Sequence, residues 1–145
     1  DFSASKQNEK WLTDITEFSV KDEKRYFSPI LDCFNNELIA YGLSRRPNGM
    51  LVQEMLLQAV EKLPRNANLI LHSDQGIHYQ MPSYQRLLAK NRISQSMSRK
   101  GNCLDNAAME SFFGRMKTEC FHGKSFTNID ELEKVINDYV RYYNE

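Results

Sequence analysis

The sequence predicts an α/β fold, on three observations. Strand-like runs fill residues 10–44, the apolar period turns helical from Asn48, and a short apolar run at Leu69-Ile70-Leu71 returns to strand character before further helices. With 145 residues the chain has the length of one domain built on one core. It reads as a single domain over residues 1–145, cut from something longer, because it opens at Asp1 without Met and stops at Tyr142-Tyr143-Asn144-Glu145 within a helical pattern.

The first three strands are expected at residues 10–20, 26–34 and 37–44. Charged Lys21-Asp22-Glu23-Lys24-Arg25 supplies the first turn, and Asn35-Asn36, a pair that tolerates positive φ, suits a tight hairpin for the second. The opening therefore reads as a β-meander. Val52, Met55, Leu56, Ala59, Val60 and Leu63 recur at helical spacing, with Pro64 just beyond as a stop. Leu69-Ile70-Leu71, wholly apolar and ending in His72-Ser73-Asp74-Gln75-Gly76, suits a strand buried on both faces with Asp74 at its C-terminal edge. Pro82 at a first-turn position precedes Tyr84, Leu87 and Leu88, which predicts a second helix, and residues 92–96 suit one more short strand. Residues 98–103, with Gly101-Asn102, read as a loop. The next helix is expected from near Asp105, with Met109, Phe112, Phe113 and Met116 as its apolar stripe. The last is expected to open on Thr127-x-x-Asp130 as a capping box and to carry Ile129, Leu132, Ile136, Tyr139 and Tyr143.

Charge has to be read by segment. Nineteen basic and nineteen acidic residues cancel over the chain, yet residues 84–117 hold seven basic side chains (Arg86, Lys90, Arg92, Arg99, Lys100, Arg115, Lys117) against two acids, Asp105 and Glu110. That stretch suits contact with phosphates, although a charge run of this kind is more often a solvated face. Cys33, Cys103 and Cys120 are widely spaced with no C-x-x-C, which fits a reduced, cytosolic setting and not a disulfide framework or a zinc site. No apolar run approaches the roughly eighteen residues needed to cross a bilayer.

Three acids stand out. Asp14 interrupts the strand-like run Trp11-Leu12-Thr13-Asp14-Ile15-Thr16-Glu17-Phe18, Asp74 ends a later strand, and Glu110 sits on the helix that follows a Gly-containing loop. Each alone has an ordinary explanation: an edge-strand or turn device for Asp14, a turn residue for Asp74, and a surface Glu with a neighbouring Lys for Glu110. Jointly they suit convergence on divalent cations, since buried carboxylates are costly to keep charged without a partner. Lys117, seven residues after Glu110, falls about 20° from the same direction on an ideal helix, so the two share a face. His72 and His78 bracket Asp74. They are read without a ligand role, because three carboxylates already supply a ligand set; His72, two residues before Asp74 and so on the same strand face, suits orienting it.

At these residues the chain resembles the catalytic core of DDE transposases and retroviral integrases, specifically the orfB-type transposases of bacterial insertion-sequence family three. The resemblance is carried by residues 10–18, by His72-Ser73-Asp74-Gln75-Gly76-Ile77-His78-Tyr79, by residues 96–119, and by the final Tyr142-Tyr143-Asn144-Glu145. It implies an RNase H-like fold with a five-stranded mixed sheet in order 3-2-1-4-5 and helices on both faces. It implies that Asp14, Asp74 and Glu110 are both the catalytic residues and the metal ligands, for Mg²⁺ or Mn²⁺, with two ions per site when DNA is bound. Lys117 matches a basic position that touches DNA near the scissile phosphate, and Arg99 and Lys100 are further candidates for phosphate contacts. The implied partners are transposon-end and target DNA, a fused or separate helix-turn-helix region, and further copies of the chain; the implied setting is the bacterial cytoplasm, at the nucleoid. Two other readings remain open: a general RNase H-like nuclease, which would typically carry a fourth carboxylate, and a non-catalytic DNA-binding remnant.

Overall fold

The computed structural model describes residues 4–65, 67–98 and 107–144. Six strand segments form one sheet: β1 (Lys10–Thr13), β2 (Thr16–Val20), β3 (Glu23–Asp32), β4 (Leu38–Ser44), β5 (Ile70–Ser73) and β6 (Ser94–Met97). The helices are α1 (Gly49–Val60), α2 (Ile77–Gln80), α3 (Pro82–Lys90), α4 (Ala107–Cys120) and α5 (Ile129–Tyr143).

Ten-residue β3 organises the sheet. One edge of β3 pairs antiparallel with β1 through Trp11↔Asp32 to Thr13↔Ile30 and with β2 through Thr16↔Phe27 to Val20↔Glu23, and its other edge pairs with β4. β1 in turn pairs parallel with β5, and β5 with β6. Counted as one interrupted strand, β1 and β2 give the sheet the order β4-β3-β1/β2-β5-β6, which is the expected 3-2-1-4-5.

The interruption corrects the expected continuous strand over residues 10–20. Continuing the register from Thr13↔Ile30 places Pro29 opposite Asp14. The Pro29 carbonyl faces β1, since it accepts from Thr13 Oγ1 at 2.9 Å, so the N–H that proline lacks would have faced β1 as well. With that ladder bond gone the pairing lapses over Asp14 and Ile15, and the Ile15 amide donates to Asp14 Oδ1 instead, at 2.8 Å.

Other boundaries shift for local reasons. The first turn needs only Lys21 and Asp22, with Lys21 at φ 56°, and β3 starts at Glu23. The second is wider than a two-residue hairpin and spans residues 33–37, because the buried Asp32 carboxylate accepts from Phe34 N and Asn8 N; Asn36 takes the positive φ, at 59°. The α5 capping box lies one residue later than expected. Asn128 Oδ1 accepts from Glu131 N and Glu131 Oε2 accepts from Thr127 N, so the motif is Asn128-x-x-Glu131. Asn128→Ala should lower stability by about 1 kcal/mol, read as a shifted urea midpoint with unchanged slope.

Alternation along the strands divides two apolar layers. On one face Trp11, Ile30 and Leu71 pack with Val52, Met55, Leu56 and Ala59 of α1, Tyr79 of α2, and Tyr84 and Leu88 of α3. On the other, Leu12, Phe27 and Leu31 pack with Met109, Phe112 and Met116 of α4 and with Ile129, Leu132 and Ile136 of α5. Helices therefore cover both faces, and the stripes read for α1, α4 and α5 are the buried ones. The end of α5 is tied to the edge strand by Asn144, whose side chain accepts from Leu38 N and donates to Leu38 O.

Candidate active site

The parallel pairing of β1 with β5 sets the site. Leu12 is in register with His72, so Asp14 and Asp74, each two residues further on, leave neighbouring strands at the same level. Strands in a ladder lie about 5 Å apart. Both acids sit just beyond the last strand residue, where the backbone is no longer committed to the ladder and the side chain can turn across the sheet's end.

Each aspartate is fixed by a backbone amide close by in sequence. Asp14 Oδ1 accepts from Ile15 N and Asp74 Oδ1 accepts from Gly76 N, both at 2.8 Å. That leaves the second oxygen of each carboxylate for a ligand. Burial pushes the Asp14 pKa from 3.8 up to about 6; the Ile15 amide opposes the shift, and the charges of Asp74 and Glu110 add to it. The three acids thus share one electrostatic neighbourhood. They do not touch as a ligand cage: among the described residues, no three acids, histidines or cysteines stand close enough to hold one ion. Asp14 and Asp74 are partly buried, while Glu110 is exposed on the first turn of α4.

Register also gives the site a wall. Asp14 stands opposite Pro29, and β2, the first half of β3 and the last residues of β4 continue past that level, whereas β5 and β6 end near it. Lys117 lies against this wall: its Nζ donates to Glu17 O at 3.1 Å and stands 5.3 Å from the centre of the Phe18 ring. The lysine read as sharing a helix face with Glu110 is thus bound to β2. Arg99 and Lys100 lie outside the described residues.

The two histidines part company. His72 is buried with Nδ1 2.8 Å from Ser96 Oγ on β6, so it braces the sheet. His78, in α2, is half-buried, its ring edge-on to Tyr79 with centroids 4.2 Å apart. Burial lowers its pKa, and the charge of Asp74 partly restores it. Sequence reasoning missed Pro29, which breaks the strand from the partner side, and Gly76, whose amide holds Asp74. The Asp-x-Gly spacing of a side-chain-capped turn was a signal for Gly76.

An all-oxygen donor pair at neighbouring strand ends, with a third carboxylate in electrostatic range, fits hard divalent cations better than softer metals. The burial that raises Asp14 is the kind of cost such an ion offsets.

The sequence matches the family described as "Integrase core domain" over residues 4–103, and a second family of the same description over residues 110–145. It is 59% identical over 144 residues to an uncharacterized transposase-like protein of Haemophilus influenzae, covering 99% of this chain and 66% of that one. It is 54% identical to the putative transposase InsK for insertion sequence element IS150 of Escherichia coli (99% of this chain, 51% of that one). It is 34% identical to the E. coli transposase InsF for insertion sequence IS3A (97% and 49%). The chain spans about half to just under two thirds of the length of these relatives. Among solved structures it is similar in fold to a chain of a simian T-cell lymphotropic virus intasome, with TM-score 0.76 and 18% identity over 92% of this chain and 49% of that one. It is also similar to the HTLV-2 integrase catalytic core domain in complex with magnesium, with TM-score 0.60 and 16% identity over 92% and 82%. The fold is thus RNase H-like, and the match over most of its length makes this chain a member of the integrase core domain family, with insertion-sequence transposases among its sequence relatives.

Proposed function

We propose that this chain is the catalytic core of a longer transposase, one that nicks DNA at transposon ends and joins the freed 3′-hydroxyl to target DNA. The observation that carries the reading is the level exit of Asp14 and Asp74 from parallel neighbouring strands, with Glu110 close enough to raise the Asp14 pKa. Asp14, Asp74 and Glu110 would hold Mg²⁺ or Mn²⁺, two ions when DNA is bound. Ions held there would supply Lewis-acid chemistry, activating an attacking oxygen and stabilising a leaving one at phosphorus.

The chain's own residues set the geometry. The Ile15 and Gly76 amides each occupy one oxygen of an aspartate, which limits how its carboxylate turns and leaves the other oxygen for the ion. Glu110, exposed on α4, completes the set from the side. The wall of β2 and β3 bounds one flank of the bound strand, and Lys117 places a positive charge against it two turns from Glu110. Arg99 and Lys100 precede α4 in sequence and are assigned to phosphate contacts. Transposon-end recognition falls to a helix-turn-helix region, fused or separate, and bringing two ends together to assembly of several copies. No helix among the described residues is long and apolar enough to cross a membrane; the cytoplasm, at the nucleoid, is the setting that chemistry on bacterial DNA ends calls for.

Metal titration tests the reading without DNA. At pH 7, Mn²⁺ at ten times its dissociation constant should stabilise the chain by about 1.4 kcal/mol, seen as a raised melting temperature. The paired substitution of Asp14 and Asp74 by Asn should remove that response. A chain whose melting ignores Mn²⁺ would instead be the non-catalytic remnant.

A further inference from the structure

We infer that His78 is a positioning residue for Asp74, and that Gly76 is glycine because a side chain there would displace the ring from the carboxylate; this rests on the assignment of Asp74 to the metal site. The observation is a shared point in space. A Cβ on Gly76 would lie 2.9 Å from both Nε2 and Cε1 of His78 and 3.0 Å from Oδ1 of Asp74. Real Cβ atoms do not approach other atoms so closely, so the polar edge of the imidazole and the carboxylate flank a gap that any side chain would fill. Two atoms each about 3 Å from one point are at most about 6 Å apart, within reach of a hydrogen bond through a single bridging oxygen.

The ring is not placed there by chance mobility. It also stacks edge-on against Tyr79, a fully buried ring, so the imidazole is held between that ring and the bare face of Gly76. The backbone beneath is pinned as well. Tyr79 N donates to Gly76 O, Gln75 Nε2 to Ser98 O, and Gln95 Nε2 to Tyr79 O. Asp74 Oδ1 already accepts from Gly76 N, so the residual freedom of this carboxylate is rotation about that bond. A donor edge on the Gly76 side restricts that rotation. Groups that orient a ligating carboxylate in this way typically change metal affinity about 10–100-fold when removed.

Mn²⁺ titration of melting temperature on the 145-residue chain tests the inference. His78→Leu fills the space without a polar edge, whereas His78→Gln keeps an amide donor at similar reach. The expected result is a metal concentration at half-response raised about tenfold in His78→Leu and restored to near wild type in His78→Gln, with metal-free melting little changed in both. Gly76→Ala, which displaces the ring from the carboxylate, should behave as His78→Leu does, and gives the answer if the leucine variant does not fold. A wild-type chain that responds to Mn²⁺, with His78→Leu responding at the same concentration, overturns this inference alone. A wild-type chain with no response overturns it together with the metal assignment on which it rests.

Discussion

Glu110→Gln should reduce metal-dependent nicking of a transposon-end duplex by about a thousandfold or more while leaving the chain folded. Glutamine keeps the length and shape of the side chain and removes only its charge. A bound cation contributes several kcal/mol of charge stabilisation at the transferring phosphoryl group, and each 1.4 kcal/mol is about a factor of ten in rate. The fold should be spared because Glu110 is exposed, about 100° around α4 from buried Met109, and surface substitutions of this sort change stability by about 0.5 kcal/mol or less. Single-turnover cleavage followed on a sequencing gel, beside a melting curve, separates the two effects. The structure adds a second expectation. The charge of Glu110 reaches Asp14, yet the three acids do not stand together as a ligand group, so Glu110 should join the other two only when ions and DNA are in place. Glu110→Gln should then depress cleavage far more than it depresses Mn²⁺ binding to the DNA-free chain. A variant that cuts at the wild-type rate would remove Glu110 from the site.

How much of this was legible from the sequence depends on the range of the interaction that decides each feature. Helical stripes are local, and Met109, Phe112 and Met116 occupy the buried side that their spacing predicts. Asp14 and Asp74 were legible as a pair only through the strand order, which the motifs suggested and the register now displays. The break at Asp14 was not legible, because β-propensity is high on both sides of it and its cause, Pro29, stands on the partner strand. The hold of Lys117 on β2 spans 100 residues of sequence and leaves no local trace. The capping box slipped by one residue because Thr127 and Asn128 are both good caps and are followed by Asp130 and Glu131, so the pattern alone does not choose between the two registers. Four-residue α2 is too short to show a period, yet it carries His78 and Tyr79 into the neighbourhood of Asp74.

Asp14→Asn should make the metal-free chain more stable at pH 7, by about 1–2 kcal/mol, although it removes a residue assigned to the site. The folded-state pKa of Asp14 is raised from 3.8 to about 6, chiefly by burial and further by Asp74 and Glu110. A group whose pKa is raised on folding binds its proton more tightly in the folded chain, so its contribution is fully present below the unfolded pKa, near 4, and is lost as pH rises through about 6. At pH 7 the folded chain therefore carries an ionised carboxylate in a place that disfavours it. Two pKa units correspond to at most about 3 kcal/mol, and the partial exposure of Asp14 reduces this to the range given. Asparagine, which does not titrate, removes the penalty and should flatten that part of the stability profile between pH 4 and 6. Saturating Mn²⁺ should reverse the order at pH 7, because an ion that favours the ionised form stabilises the wild-type chain and finds one charged ligand fewer in the variant. Urea unfolding from pH 4.5 to 7.5, with and without Mn²⁺, reads both effects. If Asp14→Asn were the less stable chain at pH 7 without metal, the acid would be serving the fold itself, and the case for a site held ready for cations would lose its electrostatic basis.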